Sequence, residues 1–179
     1  MQHLRHARDY PIVESWINED WADPHALIQI IIAREQPDGD LTFGVYLVDM
    51  GCLGLKQTMC NVGFSRQKYA NEIVKPIAEN QPLEHCSPEL AHQIIYQAID
   101  YAAQFGFRPD KDFRDSRRVL EPRGKFEESA ELEFGLDGRP FYFAGPFDRG
   151  DIILRKLDRA VGRGNYDFVL PADLFEDSD

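Results

Sequence analysis

The residues best suited to chemistry fall in one short stretch, Asp49-Met-Gly-Cys52-Leu-Gly-Leu-Lys56. A carboxylate, a thiol and an amine sit there among apolar residues and glycines. Polar groups in such surroundings are either paired or functional. Asp49, at the end of an apolar run, suits a first metal-bridging carboxylate. Cys52 suits a nucleophile, and Lys56 shares the same region. Asp49, Cys52 and Lys56 are therefore the candidate catalytic residues. The competing structural reading has Asp49 turning the chain beside a buried, inert cysteine.

A metal-dependent nuclease or other hydrolase would use Asp49 as such enzymes with a ribonuclease-H-like sheet do, with two metal ions. Its further carboxylates would come from Glu131 or Glu133. The order of elements fits that fold poorly, because two helices intervene before the next strands. A second group is His85, Cys86, Glu89 and His92. Glu89 and His92 are three apart on a helix and face one side, as in di-metal bundles, but those sites need two such pairs. The chain has no Cys-x-x-Cys, no His-x-x-x-His, no P-loop and no nucleophile elbow. No cofactor and no metal-ligand set is expected.

Charge supplies the third lead. The formal net charge is −11, which opposes non-specific binding to nucleic acid. Yet 12 of the 20 basic residues fall in two segments, 108–125 and 149–163. Arg155, Lys156, Arg159 and Arg163 lie on one side of a helix, opposite its apolar stripe. Arg117 and Arg118 belong to the other segment. These six are the candidate binding residues if the segments fold into one basic face. Otherwise they form ordinary solvated surfaces.

The positioning elements follow from periodicity. Residues 26–34 and Leu41 to Asp49 are expected as a hairpin joined at Asp38-Gly39, with a third strand through Leu53, Leu55, Gln57 and Met59. Val45 and Leu47 share one face of the second strand, Tyr46 and Val48 the other. Ser65 caps a helix to about Ala78. Ser87 and Pro88 open the strongest helix, which Gly106 closes. Residues 129–134 and 140–144 read as a second hairpin around Asp137-Gly138, and 149–161 as a third helix. Tyr166 to Leu170 is a last extended segment. Ile12, Val13, Trp16 and Ile17 have helix-like spacing, so 1–25 reads as an N-terminal arm or short helix. Residues 172–179 read as an acidic disordered tail. The expectation is one α+β domain over 26–171: an antiparallel sheet of hairpins, with about three helices packed on one face.

At 179 residues and 43% hydrophobic, the chain suits one globular domain. No apolar run approaches the ~18 residues of a membrane helix. Three cysteines without paired spacing and a polar N-terminus point to the cytoplasm.

Three pieces resemble a family of bacterial cytoplasmic proteins of unknown function. They are Val48 to Lys56 as VDxxCLGxK, Gly106 to Phe113 as GFxPxxDF, and Phe134 to Pro140 as FGxDGxP. The resemblance spans roughly 26–170 and implies a single cytoplasmic domain without implying an activity. The functional expectation is a non-enzymatic binding or accessory module for a protein or nucleic-acid partner, with no membrane association. The alternative is the Asp49 hydrolase.

Overall fold

The computed structural model describes residues 2–170; the expected tail, 172–179, lies outside them. The central sheet has five antiparallel strands in the order β4-β3-β2-β1-β5. These are β1 Ile12–Asn18, β2 Ile28–Glu35, β3 Leu41–Asp49, β4 Gly54–Phe64 and β5 Leu83–His85. In β2, Ile30, Ile31, Ile32 and Ala33 are all fully buried. Consecutive residues point to opposite faces, so both faces of the sheet are covered.

The coverage comes from different helices. Ile30, Ile32, Tyr46 and Val48 pack against α4, Pro88–Ala103, through Ala91, Ile94, Ile95 and Ala98. Ile31, Phe43 and Val45 pack against Tyr69, Ile73 and Ile77. Those three belong to α2 (Arg66–Tyr69), a π-helical turn (Ala70–Val74) and α3 (Lys75–Asn80), which run on without a break. Helices thus lie on both faces, where the sequence suggested one. The two caps are as expected: Ser65 accepts from Lys68 N and Ser87 from Leu90 N, each at 3.2 Å.

The N-terminal reading needs correction. A short helix, α1, occupies Gln2–Arg5, but Ile12–Asn18 is a strand inside the sheet. Its helix-like spacing has a physical origin. A bulge between Ile12 and Glu14 shifts the alternation by one residue. Each adjacent pair, Ile12-Val13 and Trp16-Ile17, then supplies one residue to each core. The domain therefore begins well before residue 26. Between the two helices expected to about Ala78 and from Ser87 lies β5, whose His85 stacks on Trp16 at 3.6 Å.

The second expected hairpin is also corrected. Its turn forms, with Asp137 and Gly138 at φ 51° and 75°, but it closes only a single bridge, Leu136 to Arg139. Phe141–Phe143, β6, pairs instead with β7, Asp167–Val169, in parallel. The crossover between them is α6, Gly150–Val161. This small βαβ unit packs on the end of α4 through Phe105, Phe107, Tyr142 and Leu157. The basic stretch 108–125 holds one short helix, α5, Phe113–Ser116.

Candidate binding site

Asp49 ends β3 and organises the turn into β4. Its Oδ1 accepts from Cys52 N at 2.9 Å and from Leu53 N at 3.2 Å. This is the hydrogen bonding by which Asp holds a tight turn. Burial is the main influence on its carboxyl and raises its pKa, against the two amides and the nearby Lys56 amine. The glycines of the stretch serve close approach. Gly51 O accepts from Phe141 N at 3.0 Å, and a Cβ on Gly51 would clash with Phe141 O. Gly54 has φ +70°, and its Cβ would sit 2.7 Å from that of Ala102.

Cys52 is fully buried. Burial, then the Asp49 carboxylate, push its thiol far above the ordinary range. It stays protonated and lacks the thiolate a nucleophile or metal ligand requires. Lys56 points elsewhere, to Asp148 at 2.9 Å, and both side chains are largely buried. Asp148 also accepts from Gly145 N at 2.8 Å. The pair pins the 144–149 loop to β4. The structure thus brings Asp49, Cys52 and Lys56 together, and each is committed to holding the turn or the loop. Among the described residues no three His, Cys, Asp or Glu side chains gather as a metal site. Glu131 and Glu133 line a separate groove that does not include Asp49.

The histidine group does not assemble. His92 is buried on α4. Its Nδ1 bonds to Pro88 O at 2.6 Å and its Nε2 accepts from Glu121 N at 2.9 Å. Burial first, opposed by the Pro88 carbonyl, lowers its pKa to about 4. It is a neutral core histidine. Burial pushes the Cys86 thiol up to about 12.

Three of the six basic side chains are engaged within the protein. Arg155 pairs with Asp151 at 2.7 Å and Arg163 with Asp158 at 3.3 Å. Lys156 donates to Gly106 O and lies over the Phe107 ring. Arg159 is exposed. Arg117 and Arg118 are exposed beyond α5, next to Arg8, which donates to Arg117 O.

The surface that remains is apolar. A cleft of about 310 Å³ opens beside the Asp49 turn. Lys56, Asp49, Phe141, Phe143, Pro24 and His25 line it. His25 meets Phe141 edge-on at 5.3 Å. Phe143 is 46% exposed and its register partner Val169 45%. Phe147, next to Pro146, is 97% exposed. The sequence contained these residues, but reading 140–144 as part of a hairpin with 129–134 hid the surface they build. Phe147 between Pro146 and Asp148 was the available signal, an aromatic in a polar turn. Across the 21–27 loop lies a groove of about 620 Å³ that shares Pro24 and Ala26 with the cleft.

No family model matches the chain, and no curated protein or solved structure matches it either.

Proposed function

We propose that the protein is a non-enzymatic binding module whose partner is a polypeptide, seated on the cleft and its apolar rim. The observation that carries this is the exposure of Phe143, Phe147 and Val169 at the edge of a cleft whose Asp49 and Lys56 are already engaged. Exposed aromatics of this kind give binding energy when a partner desolvates them. The nucleic-acid reading has less support. Arg155 and Arg163 hold internal carboxylates, and a net charge of −11 repels phosphate. The Asp49 hydrolase has less still, since Asp49 Oδ1 already accepts two amides and Cys52 is protonated.

The test is partner capture from the producing cells after nuclease treatment, comparing the wild type with Phe143→Ser/Phe147→Ser. The expected result is a protein recovered in near-equal amount with the wild type and lost with the variant. Partner recovery that requires intact nucleic acid would overturn the proposal. So would Mg²⁺- or Mn²⁺-dependent cleavage that Asp49→Ala abolishes without unfolding the chain.

A further inference from the structure

The segment 129–134 was expected as a strand and has the pattern of one. Leu132 and Phe134 pack against the main core, while Glu131 and Glu133 are exposed. Both ends are fixed. Ser129 N and Ala130 N donate to the Gln93 side chain, whose amide donates back to Ala130 O at 2.6 Å. At the other end Gly135 N donates to Met50 O at 2.8 Å. Between these anchors, residues 131–134 make no backbone hydrogen bond among the described residues. The segment alternates, is held at both ends and has unpaired backbone groups outside any sheet, which a strand from another chain could engage.

What lies beside it defines the occupant. The 620 Å³ groove runs between 131–134 and the chain from Trp21 to Pro24, over Ile28 and Met50. Four carboxylates line it, Asp23, Glu131, Glu133 and Asp137, and no Lys, Arg or His does. Asp23 bonds to His25; Glu131, Glu133 and Asp137 form no ion pair among the described residues. An acidic rim over an apolar floor fits a cationic chain with apolar side chains. A second copy of this chain, at −11, is disfavoured on charge.

We infer that the partner enters this groove as an extended basic segment and pairs with 131–134 as an added strand. This rests on the polypeptide-binding reading and names the chemistry of the segment bound. Four residues of strand span about 13 Å. Main-chain hydrogen bonds to 131–134 supply affinity. Alternate Lys or Arg side chains meet Glu131 and Glu133, and the residues between them face Met50 and Trp21.

The probe is a labelled heptapeptide of alternating lysine with valine or leucine, blocked at both termini. Binding is followed by fluorescence anisotropy and by amide hydrogen exchange. The expected result is saturable binding that weakens with salt and slows exchange at 131–134 about tenfold or more. Methylating alternate peptide nitrogens on the pairing edge leaves the charge intact and weakens binding at least about tenfold. Glu131→Lys/Glu133→Lys abolishes binding. Both positions are exposed, so its unfolding midpoint matches the wild type. Equal binding of the methylated peptide, protection elsewhere on the chain, or no binding would each overturn the strand addition. None of these would affect the Phe143/Phe147 capture result, which tests the polypeptide-binding reading separately.

Discussion

Arg34 is a buried ionic side chain held by three hydrogen bonds. It lies on β2 with its side chain 1% exposed. Its Nε donates to Val119 O and its Nη1 to Tyr10 O, both at 2.6 Å, and its Nη2 reaches Glu121 at 2.7 Å. One planar fork thus ties two segments, Tyr10 and 119–121, to the sheet, a geometry lysine cannot reproduce. Arg34→Met leaves Glu121 and two carbonyls uncompensated and is expected to destabilise by about 3–5 kcal/mol in urea unfolding. A loss under about 1 kcal/mol would contradict this clamp. His92 makes a second prediction at this scale. Burial, with Arg34 adding to it, disfavours its charge and outweighs the Pro88 carbonyl, Glu121 and Glu89, which favour it. The folded pKa of about 4 lies below the ordinary 6.5, so between these values the unfolded chain binds the extra proton. The stabilisation is full above pH 6.5 and is lost as pH falls towards 4. The loss is on the order of 3 kcal/mol. It is measured as the difference in pH dependence between the wild type and His92→Asn. Parallel pH profiles for the two proteins would contradict it.

At the scale of elements, two glycines separate local from tertiary constraint. Gly138 has φ +75° and open space around its Cβ position. Gly138→Val therefore carries only the backbone strain, about 1 kcal/mol or somewhat more. Gly54 has a similar φ and also abuts Ala102, so Gly54→Ala costs more than Gly138→Ala in the same thermal unfolding assay. Equal melting temperatures for the two alanine variants would contradict the packing of β4 on α4. The strands β2, β3 and β4, the helix α4 and its caps were legible because period, cap and turn residues agreed locally. β1 was not, since its bulge gives a strand the spacing of a helix. The β6–β7 pair was not, since a parallel partner 26 positions away leaves no local mark. The Asp137-Gly138 turn signal was sound, but a turn residue specifies the bend and not the ladder beyond it. The cleft was illegible for the same reason: its lining comes from the 21–27 loop, the β3–β4 turn and β6, which only the fold brings together.

At the scale of the whole molecule, the β3–β4 turn is where distant parts of the chain come together. The three sequence pieces Val48 to Lys56, Gly106 to Phe113 and Phe134 to Pro140 meet at the β3–β4 turn. Gly135 N reaches Met50 O, and Asp110 N reaches Leu55 O. Asp49, Cys52 and Lys56 hold that junction, and the apolar cleft opens beside it. On α6, Lys156 reaches Gly106 O, while Arg155 and Arg159 are exposed. Arg155→Glu/Arg159→Glu is therefore expected to shift the unfolding midpoint little and to leave partner capture unchanged. Loss of partner with this pair would move the interface to α6. The most direct test of the central claim sets Asp49→Asn beside Phe143→Ser/Phe147→Ser in one capture experiment. Asparagine retains the oxygen that caps the turn but lacks the charge that a metal or an acid–base step needs. The account predicts that Asp49→Asn recovers the partner as the wild type does, while the phenylalanine variant recovers none. A folded Asp49→Asn that loses function while the phenylalanine variant keeps it would contradict the account and place the activity at the carboxylate.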